Sequence, residues 1–329
     1  MPVDIKVSVI IPCRHKHEDL FKVVYALCNQ SEKPSEIIII DSSDDCEKFP
    51  LIMDNICKSN AIKLIYKSRN FAFPGDARNI GLQFANENLI AFIDVQTIPN
   101  ENWLEHSLEI LKGQNVDGVF GTTFFIAQTS FEKLFRDGFY GVLPLRTLPG
   151  SIFKREVFKK AGHFIDWARA GEDTDWMLRL EVLKVPIAAP VEVLLEYNGL
   201  VGANLKQLIL KWHRNYSAAR ELPHFFSQKF IFLLIIYPLL VLIACNWNYL
   251  IADWRVDSPL YIGHVTKMVV FIPCLIYITL RGLLFPLQRG VQISQILPVR
   301  FMGIVLICLI ADLIKIFVLS FPITKKNDL

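Results

Sequence analysis

The chain has 329 residues, room for one large domain or two ordinary ones, and 52% of it is apolar. A net charge of +3 is too small to argue for a nucleic-acid partner. Seven cysteines without paired spacing argue against a disulfide or zinc framework and read as reduced thiols. Residues 1–228 hold most of the charge, whereas Ile, Leu, Phe and Val dominate residues 230–323. That step in composition marks the main domain boundary. The start, Met1 to Lys6, is charged and leads straight into a strand pattern, so the N-terminal domain is expected to stay where it is made.

In chain order, Val7-Ser8-Val9-Ile10-Ile11-Pro12 reads as a buried strand and Ile37–Asp41 as a second. Between them, Leu20, Val23, Val24 and Leu27 recur at helical spacing over Asp19–Gln30. This is a β-α-β unit, expected to be parallel and right-handed. Lys63–Tyr66 is a third strand. A turn, Phe73-Pro74-Gly75-Asp76, and a helix, Ala77–Asn86, follow it. Leu89–Ile93 is a fourth strand and ends on Asp94, as the second ends on Asp41. Ligands of open α/β sheets bind at those carboxyl ends. Aspartate also ends strands simply to cap the next turn. Two such ends, with Arg78-Asn79 opening the helix between them, point to a nucleotide site.

Residues 121–160 read as mixed, with a strand at Thr122–Ile126 and a short helix at Glu156–Ala161. Leu148-Pro149-Gly150-Ser151 reads as a turn where backbone approaches a ligand closely. Gly171-Glu172-Asp173-Thr174-Asp175-Trp176 places three carboxylates ahead of a helical apolar pattern. The helix dipole favours acids in a first turn, so the stretch serves equally as a plain helix start.

Asn204–Gln228 reads as a basic amphipathic helix suited to the headgroup layer, ended by Pro223. Leu205, Leu208, Ile209, Trp212 and Tyr216 form one face, and Lys206, Lys211, Arg214 and Arg220 the other. Three spans are expected at about 230–250, 265–287 and 301–323. Asp312 and Lys315, three apart in the last, are expected to pair. The basic residues before the first span, together with Arg289 and Arg300, place the N-terminal domain in the cytoplasm. Lys325-Lys326 then falls outside, so one segment would be re-entrant or interfacial.

Five pieces in order resemble the inverting family 2 glycosyltransferases. They are Val7–Pro12; Ile37–Asp44 with Asp41; Phe73–Gly81 with Gly75, Arg78 and Asn79; Ala91–Pro99 with Asp94 and Gln96, followed by Trp103-Leu104; and Gly171–Asp175. The likeness covers roughly residues 5–200. It implies a GT-A fold, an α/β domain with a Rossmann-like, mostly parallel sheet over 1–203. The interfacial helix (204–228) and an all-α transmembrane region (229–329) would follow.

The resemblance implies a UDP- or GDP-type sugar donor and a base, Asp173, beside Glu172. Asp41 would contact the nucleotide base, with Pro12 and Arg14 nearby. Arg78 would touch the donor, and Asp94 the ribose or diphosphate beside Gln96. Gly150, Asp175, Trp176, Lys211, Trp212 and Arg214 are candidates for acceptor or diphosphate contact. The family's usual second carboxylate for Mg or Mn is replaced by Gln96, and Glu196-Tyr197-Asn198 stands where a supporting His is common. A neutral amide is a poor ligand for a hard cation, so metal held through Asp94 is expected to be weak. Lys211, His213 and Arg214 are then cations for the leaving group. The implied function is sugar transfer to a lipid-linked acceptor, a polyprenyl phosphate or lipid-linked glycan, at the cytoplasmic face. The alternative is a degenerate, non-catalytic nucleotide-sugar-binding subunit of a glycan-assembly complex.

Overall fold

A computed structural model describes residues 6–44, 49–222, 237–250, 252 and 254–320. The chain divides into two compact units. The first comprises Met1–Glu132 and Val142–Asn204, the second Lys133–Gly141 and Leu205–Leu329.

In the first unit the strands are β1 (Val7–Cys13), β2 (Glu36–Asp41), β3 (Lys63–Ser68), β4 (Leu89–Phe92), β5 (Thr97–Pro99), β6 (Gly118–Phe125), β7 (Leu145–Lys154), β8 (Ile187–Ala188) and β9 (Leu195–Tyr197). The helices are α1 (His17–Cys28), α2 (Phe49–Ser59), α3 (Pro74–Phe84), α4 (Trp103–Gly113), α5 (Ser130–Phe139), α6 (Arg155–Ala161) and α7 (Glu172–Val182). Of α5, only its first turn belongs to this unit.

The sheet runs β3-β2-β1-β4-β7-β6-β9-β5, with β8 beside β6. Its β3-β2-β1-β4 half is parallel. Antiparallel pairs β4–β7, β6–β7 and β5–β9 make the other half mixed. The parallel strands carry unbroken apolar runs because helices cover both faces. Ile37 to Ile40 are all fully buried, and each such side chain contributes roughly 1.5–3 kcal/mol. Leu20, Val23, Val24 and Leu27 of α1 cover one face. Phe153, Phe158, Phe164 and Trp176 fill the other.

Three local expectations change. The helix after β3 starts at Pro74, not Ala77, because proline suits a first helical turn. Leu148–Ser151 is not a turn but the interior of β7, where the β6–β7 register shifts between Val119 and Gly121. An extra helix, α2, lies between β2 and β3.

The second unit is helical. The helix α8 (Leu205–Ala219) occupies the start of the expected amphipathic segment, whose remainder from Pro223 lies outside the described residues. Further helices span Tyr237–Leu250, Val265–Thr279, Phe285–Gln288, Ile293–Ile296 and Val299–Ser320, with a π-helical turn at Leu280–Leu284. Among the described residues, two stretches are long and apolar enough to cross a membrane, Lys267–Gln288 and Val299–Val318. Residues 230–236 of the first expected span, 321–323 of the third and Lys325-Lys326 lie outside the described residues.

Asp312 does not pair with Lys315. It accepts from Arg281 Nε at 3.0 Å and from the Tyr277 hydroxyl at 2.9 Å. The Lys315 ammonium sits over the Tyr216 ring at 5.9 Å. A guanidinium offers a planar fork that an ammonium lacks, which favours Arg281 as the partner.

Candidate active site

The carboxyl ends of β1 and β2 lie side by side, with Cys13 opposite Asp41. Asp41 is fully buried and accepts from Ser43 N (2.9 Å), Ser43 Oγ (2.5 Å), His17 Nε2 (2.7 Å) and the Tyr66 hydroxyl. Burial pushes its carboxyl up, but bonds from Ser43, Tyr66 and His17 outweigh this and hold it below the usual range. Three neighbouring side chains and one backbone N–H thus hold this carboxylate in a fixed direction at the end of β2. Pro12 is half-buried, and exposed Arg14 lies over the Phe71 ring at 5.1 Å.

The centre of the site is Arg78 on α3. Its side chain is 3% exposed. Nη1 donates to Glu172 at 2.7 Å and Nη2 to Asp94 at 2.9 Å. One guanidinium thus ties the end of β4 to the first turn of α7. The local sequence makes this approach feasible. A Cβ on Gly75 would lie 2.1 Å from the Ile165 carbonyl oxygen, and Gly171 enters α7 with φ +88°. Burial acts against charge on Arg78, but Asp94, Glu172 and Asp173 more than compensate and hold it firmly protonated. Burial raises the Glu172 carboxyl, with Arg78 opposing. Among the described residues, Arg78 Nε and Thr97 Oγ1 are buried without a hydrogen-bond partner. Unpaired buried groups of this kind mark places where a ligand or water completes the bonding.

Asp94 and Asp173 line one cavity of about 410 Å³, together with Thr97, Thr123, Arg146 and Tyr197. Met177, Leu148 and Phe125 give it an apolar floor. Asp173 is partly exposed and its Oδ1 accepts from Thr174 N at 2.7 Å. Adjacent helical side chains point about 100° apart. Hence Glu172 turns inward to Arg78 while Asp173 faces the cavity.

Several expected residues do other work. Asp175 pairs with Arg179 Nε at 3.0 Å. Trp176 is fully buried, stacks on Phe158 and donates to the Gly162 carbonyl. Both take part in the packing of α7. Gly150, at φ +82°, packs against Leu195 and accepts from Trp103 Nε1, so it too serves structure. Trp212 packs against Phe135 and Phe139 within the second unit. Lys211 is half-buried and Arg214 exposed on the same helix. The backbone carbonyl of Gln96 accepts from Asn198 N. No local pattern singles out Arg146 or Thr123, which only folding brings opposite α7.

Asp94 gives one oxygen, Oδ1, to Arg78, and Gln96 is neutral, so this pair offers a hard divalent cation few charged oxygens. Among the described residues, Cys13, His17 and Asp41 hold ligand atoms within 4.8 Å of one another. Thiol and imidazole are softer donors than Mg or Mn prefers, and the Asp41 oxygens are committed to hydrogen bonds.

The chain is 27% identical over 157 residues to an uncharacterized glycosyltransferase of Rickettsia bellii, covering 48% of this chain and 21% of the relative. It is 28% identical over 162 residues to glycosyltransferase AglE of Haloferax volcanii, covering 48% and 52%. The match thus spans about half or less of these relatives' length. The mannosyltransferase PcManGT of Pyrobaculum calidifontis, solved with GDP-Man and Mn2+, shares the fold at TM-score 0.52 and 13% identity. That likeness covers 95% of this chain and 87% of that one. The profile described as glycosyl transferase family 2 matches residues 8–172, half of the chain. That stretch holds the strands β2 to β7 and the Arg78 clasp with Asp94 and Glu172, and the chain belongs to glycosyl transferase family 2.

Proposed function

We propose that this chain is a membrane-anchored, inverting transferase that moves a sugar from a UDP- or GDP-type donor to a lipid-linked acceptor at the cytoplasmic face, in glycan or polysaccharide assembly. One observation carries this: Asp94 and Asp173 line the same cavity, Asp94 bonded to Arg78 and Asp173 next in the chain to Glu172, the other partner of Arg78. The acceptor hydroxyl attacks the anomeric carbon and its proton passes to Asp173. The bond from that carbon to the diphosphate oxygen breaks, and the electron pair leaves with the nucleoside diphosphate. Attack opposite the leaving group inverts the centre. A base within hydrogen-bond reach is worth about 10²- to 10⁴-fold. Arg78 ties Asp94 to Glu172 at the start of α7, and Thr97, whose Oγ1 is unsatisfied, lines the same cavity. The apolar helices Lys267–Gln288 and Val299–Val318 support an anchor that keeps the site where lipid-linked acceptors reside.

A second reading, a non-catalytic nucleotide-sugar binder, is favoured by Gln96 alone. Asp173→Asn separates the two. Purified D173N is expected to keep its melting temperature and its donor binding but to lose transfer by about 10²-fold or more. Unchanged transfer would remove Asp173 from the mechanism. Donor binding by the unaltered protein, with no transfer to any lipid-linked acceptor, would favour the binder.

A further inference from the structure

Among the described residues lining the cavity, Arg146 carries the one positive charge, against Asp94, Asp173 and Glu181. It stands on β7, its guanidinium 4.7 Å over the Phe120 ring and its Nη2 donating to Glu181. The strand and the ring fix its direction, while 43% and 46% side-chain exposure leaves the ion pair in contact with water. Such a pair is worth little and opens readily for a stronger anion. A guanidinium suits phosphate because it binds two oxygens at once.

The helix α7 serves as a ruler. Asp173, Met177 and Glu181 line the cavity at successive turns of one face. Eight residues at 1.5 Å each separate the first from the last by about 12 Å. Asp94 is tied through Arg78 to Glu172, so the donor end of the cavity lies at the first turn. Arg146 is tied to Glu181, two turns on. The leaving diphosphate departs away from the base, toward Asp94. Arg146 is therefore at the acceptor end, separated from Asp173 by the apolar side chains of Met177 and Leu178. A phosphate acting as nucleophile itself would have to sit at Asp173, among carboxylates and away from Arg146.

We infer that Arg146 binds a phosphate of the acceptor, and that the attacked hydroxyl belongs to a sugar carried on that phosphate. The acceptor class is a glycosyl (di)phosphate lipid, with Glu181 holding Arg146 in place until it arrives. This rests on the transferase reading and narrows its acceptor.

The test uses the full chain in detergent, with a UDP- or GDP-sugar donor selected by thermal shift. Three acceptors are compared: a short isoprenyl-diphosphate-linked monosaccharide, the same sugar as a neutral alkyl glycoside, and isoprenyl phosphate without sugar. Arg146→Ala should raise KM for the first by about ten- to a hundredfold. KM for the donor and for the alkyl glycoside should stay within about twofold. Arg146→Lys should recover part of the loss, and Glu181→Gln should lower KM for the first acceptor. A raised donor KM in R146A would assign the cation to the leaving diphosphate instead. Equal losses on both glycosides would reduce Arg146 to packing. A preference of the unaltered protein for sugar-free isoprenyl phosphate would also overturn the inference. Absence of transfer by the unaltered protein on every acceptor would instead sink the transferase reading itself.

Discussion

Each unit of this molecule contains an arginine clasped to acid, and the two clasps differ in charge. Arg78 meets two carboxylates, Glu172 and Asp94, with Asp173 nearby. Arg281 meets one, Asp312, supported by the neutral Tyr277 hydroxyl and by the Phe139 and Phe285 rings. The second clasp balances to zero, as charges among apolar helices must. With both acids ionised the first carries a net negative charge, which burial opposes by raising the Glu172 carboxyl. Charge balance thus separates a clasp that lies among apolar helices from one that borders the Asp94–Asp173 cavity.

The largest effect on this contrast should come from Arg78→Met. It leaves Glu172 buried without its partner, a loss of about 3 kcal/mol or more by thermal or denaturant unfolding. Because burial already raises the Glu172 carboxyl, that loss should shrink as pH falls and Glu172 takes up a proton. A pH-independent loss would mean that Arg78 acts through packing. In the second unit, Arg281→Met combined with Asp312→Leu should be neutral or stabilising, by up to about 4 kcal/mol, since apolar pairs often outperform buried ion pairs. Severe destabilisation of that double variant would erase the distinction drawn between the clasps. The smallest effect concerns Asp41. Its folded carboxyl lies below its unfolded value, so its stabilisation is present above about pH 3.9 and is lost as pH falls through the folded value. Unfolding curves of wild type and Asp41→Asn should therefore converge below about pH 4. Parallel curves across that range would deny the carboxylate any net role.

The β-α-β start was legible because its strands are buried on both faces, so Ile37–Ile40 reads as one apolar run. The helix α2 was not, because Leu51 and Ile52 face out, 72% and 57% exposed, while Met53 and Cys57 are buried. Its apolar pattern is thus out of phase with its core face. Pro149-Gly150 mimics a turn because a register shift inside β7 uses the same backbone freedom. At the site, the motif Glu172-Asp173-Thr174-Asp175 announced acids but not their directions. Only the helix sorts them into a clasp member, a cavity residue and a packing residue. Arg146 lacked any local pattern, since its partner Glu181 stands 35 residues away.

Gly75 is not among the residues lining the cavity, yet a methyl group there would collide with the Ile165 carbonyl and crowd the Glu172 side chain at 3.2 Å. The helix α3 would have to lift, carrying Arg78 with it. A saturation screen scored on sugar transfer would therefore flag Gly75 alongside Asp94 and Asp173. Tolerance maps of this protein would outline a scaffold hinge as sharply as they outline the reacting groups, and only a binding readout would tell the two apart.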